Sequence, residues 1–246
     1  MREVLTANNL SYTYETGKKK VEALKGLSFA VNDGEIFGFI GPNGAGKTTT
    51  IKLLLGILIS QKGELSVLGK SPTLPEARKS VGYMPEIANY YRYLTPVELL
   101  TMYGDIFGIE KKLLKARINE LLRLVDLEKE SDRIMGTFSK GMMQKVSFAQ
   151  ALVNDPDLLI LDEPSSGLDP VARKNMREVI KSLRDKDKTV FFSSHELSEV
   201  ELVSDRIGIL NRGELLAVGP VEDLLGEKEE GQTLESYFLN MIEREI

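Results

Sequence analysis

One short stretch, "GPNGAGKTT" at residues 41–49, constrains the fold of this 246-residue chain more than any other part. It matches the pattern G-x-x-x-x-G-K-[ST] and lies between the apolar run "EIFGFI" and the helical pattern of "TTTIKLLLGIL". Glycines at positions 41, 44 and 46 let such a loop wrap with its amides pointing inward, at phosphate oxygens. The arrangement predicts a strand, a phosphate-binding loop and a helix in an α/β fold.

The loop also predicts chemistry for the side chains that follow its glycines. We expect Lys47 to reach the β- and γ-phosphates of a nucleoside triphosphate, and the Thr48 hydroxyl to bind Mg²⁺. The alternative interpretation is a glycine-rich turn before an ordinary helix. The predicted nucleotide-binding residues of the loop are Gly41, Pro42, Asn43, Gly44, Ala45, Gly46, Lys47, Thr48 and Thr49.

Patterns along the rest of the chain extend the α/β prediction. The first part reads as strands, "EVLTANNLSYTY" and "VEALKGLSFAVNDGE", with "TGKKK" as a solvated hairpin loop between them. The runs "DLLILD" and "TVFFSS" are apolar enough to be buried on both faces of a parallel sheet, and "VARKNMREVIKSLRDK" between them completes a βαβ unit. "RIGIL" and "GELLAVG" predict a further strand pair.

The middle of the chain changes to a helical period, from about Pro96 to Val153. We therefore predict a single domain whose core is formed by residues 1–88 and 154–220, with a helical subdomain at residues 89–153 inserted into it. Residues 221–246 form a short helical tail, in which "GEKEEG" is a charged linker and "TLESYFLNMIEREI" an amphipathic helix.

Acidic residues follow the strand run "LLIL", and the single histidine of the chain follows "TVFFSS". Because ligands bind at the carboxyl ends of parallel strands, we expect Asp162 to hold Mg²⁺ and Glu163, across the pleat from it, to act as general base. His195 is expected to sense the γ-phosphate from the neighbouring strand end. A solvated acidic turn and a surface or capping histidine are the alternative interpretations.

A second stretch, "TFSKGMMQK" at residues 137–145, resembles the start of an anion-binding helix. Ser139 is a suitable helix cap, and Gly141 allows a ligand to approach the backbone. The chain therefore carries two phosphate cradles, although one nucleotide needs only the first.

Composition limits the classes of protein that the chain can represent. The net charge of −5 argues against a broad nucleic-acid-binding surface, and the lack of cysteine excludes disulfides and thiolate chemistry. The longest apolar runs, such as "LLLGILI", are too short to span a bilayer, and the N-terminus does not resemble a signal peptide.

The motifs "GPNGAGKTT", "YMPE", "FSKGMMQK", "LLILDEPSSGLDP" and "SSHE", in this order, resemble the nucleotide-binding subunit of ATP-binding cassette (ABC) transporters. The resemblance runs from about Val4 to Gly219 and implies a P-loop NTPase core with a mostly parallel sheet, an antiparallel N-terminal β subdomain and an inserted helical subdomain. It further implies ATP and Mg²⁺ as ligands, a second ATPase subunit as partner in a homodimer or a heterodimer, and a separate transmembrane permease.

The resemblance also assigns residues outside the first loop. Tyr14 lies where the family stacks an aromatic ring on adenine, with Tyr12, on the same face of the strand, as the runner-up. Asp169 in "SSGLDP" corresponds to the residue that connects two active sites across a dimer. The helix start "SKGM" corresponds to the family's signature motif, which contacts the partner's ATP, and its residues are Ser139, Lys140, Gly141 and Met142.

Two positions depart from the commonest family pattern. Glu86 in "VGYMPE" replaces a glutamine, as in the branch of drug, lantibiotic and sodium exporters, and is expected to face the metal; the alternative is an acid placed at a helix N-terminus. Lys140 and Met142 replace the usual glycine and glutamine of the signature motif. Lys140 either adds a positive charge near the phosphates or points to solvent.

The resemblance implies an ATPase that powers transport, by analogy export, of an unknown substrate, from the cytoplasmic face of the cell membrane. A soluble non-transport ABC ATPase acting on nucleic acid or the ribosome is the alternative, and the acidic balance of the chain disfavours it. A phosphate-loop kinase for a small metabolite would have no use for "FSKGMMQK".

Overall fold

The computed structural model describes residues 2–17, 19–225 and 233–243, and these residues form nine strands and nine α-helices. No helix among them combines the length and apolarity that crossing a membrane requires. The strands are β1 (Glu3–Thr16), β2 (Lys19–Asn32), β3 (Ile36–Ile40), β4 (Lys62–Val67), β5 (Val81–Met84), β6 (Leu158–Asp162), β7 (Thr189–Ser194), β8 (Arg206–Asn211) and β9 (Glu214–Pro220). The helices are α1 (Lys47–Leu54), α2 (Pro75–Arg78), α3 (Pro96–Ile106), α4 (Lys111–Leu124), α5 (Lys140–Ala151), α6 (Pro170–Arg184), α7 (Leu197–Val203), α8 (Val221–Leu225) and α9 (Leu234–Glu243).

A six-stranded sheet in the order β5-β6-β7-β3-β8-β9 forms the centre of the molecule. All neighbouring pairs are parallel except β8 and β9, so the predicted mostly parallel sheet and the βαβ unit around α6 are confirmed. Every residue of β3, β6 and β7 is buried, as expected for strands covered on both faces. The carboxyl ends of these three strands meet at one edge of the sheet.

A three-stranded antiparallel sheet, in the order β2-β1-β4, packs against one face of the central sheet. The hairpin loop predicted over residues 16–20 was too long, because Glu15 pairs with Lys20 and residue 16 with residue 19 in the ladder. The opposite charges of Glu15 and Lys20, whose carboxylate and ammonium are 2.6 Å apart, support this pairing across the strands. Phe29, Phe37, Phe39 and Phe191 stack between the two sheets.

The other face of the central sheet is covered by helices. Helices α3, α4 and α5 and two 3₁₀ turns, Glu128–Glu130 and Met135–Thr137, occupy the predicted helical region. One face of α4 is buried, with Leu114, Ile118, Leu121 and Leu122 in the same core cluster as Leu159 of β6. The domain boundaries proposed from the sequence stay a prediction.

The tail predicted after residue 220 contains α8 and α9, and Leu234 at the start of α9 is buried against α7. Its backbone amide donates a hydrogen bond to a Glu201 carboxylate oxygen, 3.3 Å away. The charged linker predicted for residues 226–231 lies outside the described residues.

Candidate functional site

The glycine-rich loop connects β3 to α1 at the carboxyl edge of the sheet. Gly44 and Gly46 have positive φ angles of 80° and 115°, the left-handed region that glycine tolerates. Gly41 is required for a different reason, because a Cβ there would lie 2.2 Å from the backbone oxygen of Leu210. The loop is thus held closely against β8.

The loop is also tied to the turn between β8 and β9. The amide of Gly213 donates to the carbonyl of Ala45 at 2.9 Å, and the amide of Lys25 on β2 donates to the carbonyl of Gly213 at 2.8 Å. Helix α1 begins at Lys47, and its N-cap residue, Gly46, offers no side chain to cap the helix. The first-turn amides of α1 are therefore available to bind an anion.

Lys47 is buried at the base of the loop, with 6% of its side chain exposed. Its Nζ atom donates to the carbonyl of Gly41 at 2.6 Å and lies 3.3 Å from Oε1 of Glu163. Thr48 next to it is exposed, whereas Thr49 is buried. The predicted phosphate-binding lysine and the predicted general base are therefore in direct contact.

Asp162 is the last residue of β6 and is 2% exposed. Burial raises the pKa of its carboxyl group; a hydrogen bond from Ser193 counteracts this shift, and the nearby charge of Glu163 reinforces it. The Ser193 hydroxyl donates to Oδ1 of Asp162 at 2.6 Å and accepts from the amide of Glu163 at 3.1 Å. Ser193, which faces Asp162 on the neighbouring strand β7, thus fixes both acidic residues.

The expectation that Glu163 lies across the pleat from Asp162 was wrong. Strand β6 ends at Asp162, and Glu163 has a φ of 50°, in the left-handed region. This turn of the backbone brings Oε1 of Glu163 to Lys47 and Oε2 to within 2.8 Å of Nδ1 of His195. The carboxylate is 8% exposed and bridges the two side chains.

His195 is placed at the end of β7 as predicted, and its ring is 43% exposed. Its amide also approaches Oε2 of Glu163, at 3.3 Å. The alternative of a capping histidine is not supported, because Glu196 precedes α7 and the ring of His195 contacts Glu163 instead.

Glu86 lies in the loop after β5 and lines the same cavity as Lys47 and Glu163. Its charge contributes to the raised pKa of Asp162 and, after burial and Asp162, to the pKa of Tyr83, which rises to about 12. The alternative role as a helix N-terminal acid was wrong, since the next helix begins at Pro96 and is capped by Thr95.

A cavity of about 640 Å³ lies over the loop and combines most of the predicted site residues. Tyr14 lies at its margin, with its hydroxyl 3.4 Å from Oγ1 of Thr49. Tyr12 is an edge-to-face neighbour of Tyr14, at 4.9 Å between ring centroids, but it packs against the buried cluster under β1. The lining residues are Tyr14, Val21, Glu22, Ala23, Lys25, Pro42, Asn43, Gly44, Gly46, Lys47, Thr48, Thr49, Glu86, Glu163, His195 and Arg212.

The second predicted cradle is a genuine helix start. The hydroxyl of Ser139 accepts a hydrogen bond from the amide of Met142 at 3.2 Å, which caps α5 as expected. Among the described residues, those of this helix start do not line the cavity over Lys47. Ser139 and Lys140 line a neighbouring cavity of about 410 Å³, and Glu86 lines both. The two cradles of one chain therefore do not enclose the same space.

The side chain of Lys140 extends over Gly167, so that a Cβ on Gly167 would lie 2.2 Å from Nζ of Lys140. Asp169, two residues further, caps α6, because its Oδ1 atom accepts from the amides of Val171 and Ala172 at 3.0 and 2.9 Å. In this structure Asp169 thus acts within its own chain.

Sequence reasoning missed three residues of the site. Ser193 could have been found from its place in "TVFFSS" at a strand end beside Asp162. Gln144 of α5 is buried, and its Nε2 atom donates to the carbonyls of Glu163 and Pro164 at 3.4 and 3.3 Å. Arg212 reaches the cavity from the turn between β8 and β9, and no local pattern indicates this.

Comparison with known proteins places these motifs in a family. A sequence profile described as "ABC transporter" matches residues 24–166, more than half of the chain. An ABC transporter ATP-binding protein of Synechocystis is 47% identical over 89% of this chain and 64% of its own length. The bacitracin transport ATP-binding protein BcrA of Bacillus licheniformis is 39% identical over 91% of this chain and 72% of its own. The chain thus spans roughly two thirds of these two relatives.

Other relatives and structures agree with these. The ABC transporter ATP-binding protein NatA of Bacillus subtilis is 34% identical over 99% of this chain and the whole of its own. A solved structure of an ATP-binding subunit of an ABC transporter superposes with a TM-score of 0.87 at 31% identity, over 97% of this chain and 99% of its own. A nucleotide-free ATP-binding cassette at 24% identity, with a TM-score of 0.78 over 90% of this chain and 92% of its own, shares the fold.

Proposed function

The chain belongs to the ABC transporter family as an ATP-binding subunit, and we propose that it hydrolyses Mg²⁺-bound ATP to power export through a separate membrane-spanning subunit. The observation that carries this proposal is the contact of the buried Glu163 carboxylate with both Lys47 and His195 beside the phosphate loop. It combines a phosphate-binding cation, a carboxylate for water activation and a proton-carrying ring in one cavity.

The cavity fits a nucleoside triphosphate. The uncapped first turn of α1 and the amides of the loop provide donors for phosphate oxygens, and Lys47 provides the positive charge. Tyr14 lines the cavity on the side of β2, which supports stacking of its ring on the base. The exposed guanidinium of Arg212 and the ammonium of Lys25 add further positive charge to the same cavity.

Mg²⁺ fits the residues at the edge of the sheet. No group of three or more histidine, cysteine or acidic residues among the described residues forms a metal cage. Mg²⁺ does not need one, because it is usually bound by one or two carboxylates together with substrate phosphates and water. Thr48, Asp162 and Glu86 would hold the ion, which neutralises charge on the phosphates when it is bound.

The contact between Lys47 and Glu163 suggests how substrate binding prepares the general base. In the structure the ammonium of Lys47 neutralises the Glu163 carboxylate. A bound β- or γ-phosphate competes for the same ammonium, and Glu163 is then free to accept a proton from the attacking water. The Ser193 hydroxyl, which accepts from the Glu163 amide, and the left-handed turn hold the backbone of Glu163 in place during this exchange.

His195 has to change its hydrogen bonds in order to contact the γ-phosphate. A neutral imidazole that donates from Nδ1 to Glu163 has only an acceptor at Nε2, which cannot bind a phosphate oxygen. We therefore expect the ring to leave Glu163 when ATP is enclosed. Its exposure of 43% leaves room for such a movement.

A second copy of the subunit, or a related subunit, would complete each site. The helix start at Ser139 does not line the cavity of its own chain, which supports a role on the ATP of a partner. In this arrangement two subunits enclose two ATP molecules beneath a permease, on the inner face of the cell membrane. Relatives named for bacitracin transport and linearmycin resistance support export of an antibiotic-like substrate.

The proposal is tested by ATPase assays of the purified chain with and without Mg²⁺, and by co-purification with a membrane-spanning subunit encoded beside it. We expect Mg²⁺-dependent phosphate release without any added acceptor. Release that required duplex DNA or tRNA would instead support a soluble non-transport ATPase. Phosphate transfer to a small metabolite in place of water would contradict hydrolysis.

A further inference from the structure

The SSGLD loop, residues 165–169, lies between the α5 helix start and the turn that carries His195. On the α5 side, Leu168 is buried, and a Cβ on Gly141 would lie 3.5 Å from its Cδ2 atom. Lys140 covers Gly167 from the same side. The loop is therefore packed against the residues that we propose to contact the partner's ATP.

On the other side, a single residue connects the SSGLD loop to the end of β7. The Nε atom of Arg173 donates to the carbonyl oxygen of Leu168 at 2.9 Å, and its Nη1 atom forms an ion pair with Oε2 of Glu196. Glu196 directly follows His195, and its amide donates to the Ser194 hydroxyl at 2.9 Å. One guanidinium thus holds both the loop and the turn.

The position of Arg173 is unfavourable without these two contacts. It lies in the first turn of α6, where the partial positive charge of the helix N-terminus disfavours a cation. The side chains of Arg173 and Glu196 are 30% and 25% exposed, so solvent screens their attraction only in part. The planar guanidinium contacts the carbonyl and the carboxylate through two different nitrogen atoms, Nε and Nη1, whereas a lysine has a single nitrogen on a more flexible side chain.

We propose that Arg173 is a positioning residue that keeps the SSGLD loop in register with His195 and, through it, with Glu163. The α5 helix start and the Lys47 cavity, which face different ATP molecules in the proposed dimer, are then held in a fixed relation inside each chain. This inference rests on the proposed function. Loss of Arg173 should therefore slow the hydrolysis step itself, because misplacement of catalytic groups by about 1 Å can lower a rate by roughly 10²-fold.

The alternative role of Arg173 is a simple ion pair that fastens α6 to α7. The same helix offers a matched control for that role, because Arg177 pairs with Glu199 of α7 at 2.7 Å. This second pair is at least as buried, with side-chain exposures of 22% and 13%, but Arg177 has no contact with the SSGLD loop. A variant at Arg177 therefore removes an ion pair between α6 and α7 without changing a contact of the SSGLD loop.

The test compares Arg173→Met with Arg177→Met in the full chain, with kcat, KM for ATP and melting temperature measured for each. We expect Arg173→Met to lower kcat about tenfold or more while KM changes less than about twofold, and Arg177→Met to leave kcat within about twofold. Arg173→Lys, which keeps the charge but has one nitrogen in place of the two that make these contacts, is expected to lie between the parent and Arg173→Met. Equal losses of kcat in Arg173→Met and Arg177→Met, or an unchanged kcat in Arg173→Met, would overturn the proposal.

A double-mutant cycle with Glu196→Gln tests the contact itself and serves if Arg173→Met does not fold. The effects of Arg173→Lys and Glu196→Gln on kcat should be non-additive, because both weaken one interaction. Fully multiplicative effects would contradict the coupling. The two failures can be told apart. If the proposed function is wrong, the parent chain releases no phosphate from ATP. If only this inference is wrong, the parent chain is active but the variants do not differ as expected.

Discussion

Glu163 and Lys47 form a buried ion pair, with 3.3 Å between Oε1 and Nζ and less than a tenth of either side chain exposed. Both groups carry roles in the proposed hydrolysis, and neither can perform its role while it is bound to the other. In this arrangement the proposed general base and the proposed phosphate-binding cation offset each other's charge.

This ion pair predicts the behaviour of Glu163→Gln. Hydrolysis should fall by about 10²- to 10⁴-fold, because the general base is lost. ATP affinity should be kept or increased, because ATP no longer has to break an ion pair between Lys47 and Glu163 in order to bind Lys47. Phosphate release and binding of a fluorescent ATP analogue measure the two effects, and light scattering should detect an ATP-dependent dimer. Hydrolysis at the parental rate would refute the assignment.

Glu86 predicts an altered requirement for Mg²⁺. Because its charge acts on buried Asp162, Glu86→Gln should keep ATP binding but shift the Mg²⁺ concentration that gives half-maximal hydrolysis. Glu76→Gln, at an exposed acid in the first turn of α2, is the matched control. A Mg²⁺ titration of Glu86→Gln that overlays both the parent and the control would exclude the metal-facing role.

Lys140 predicts a charge effect on the proposed dimer. Its ammonium lies over Gly167 and forms no ion pair within residues 2–17, 19–225 and 233–243, so it is available to a partner's phosphates. In a Glu163→Gln background, Lys140→Met should weaken ATP-dependent dimerisation by up to about fivefold at low salt, the scale of an exposed charge pair. Lys140→Arg should retain it. Equal dimerisation of the two variants would show that the charge does not matter.

Two glycines of the phosphate loop predict different stability changes on substitution by alanine. In Gly41→Ala the new Cβ would meet the Leu210 carbonyl, a backbone atom that cannot move aside, so we expect a loss of several kcal/mol or no folded protein. In Gly44→Ala the Cβ meets open space, and only the left-handed φ costs about 1 kcal/mol. Urea unfolding measures both, and equal losses would contradict the packing argument.

The edge of the sheet on which the site lies was predictable from sequence, because apolar strand runs ending in Asp162 and His195 identify it without knowledge of the strand order. The conformation of Glu163 was not, since a left-handed turn at a glutamate depends on tertiary contacts with Ser193 and Lys47 and has no local signature. Arg173 and Arg212 were missed for a related reason, as each acts on a segment that is close in space through the fold. The roles of the individual site residues stay predictions.

Strand β3, which leads into the phosphate loop, has Phe37 paired with Phe191 on one side and Arg206 on the other. Both partner strands are synthesised long after β3. During translation, the backbone hydrogen-bonding groups on both edges of the apolar β3 are therefore unpaired until β7 and β8 have left the ribosome. Sheets with such distant pairing form slowly, and unpaired edges invite aggregation. In a nascent chain of this protein, both edges of β3 would therefore stay exposed until residues 189–211 had been made, and the phosphate loop would lack its supporting strands until then.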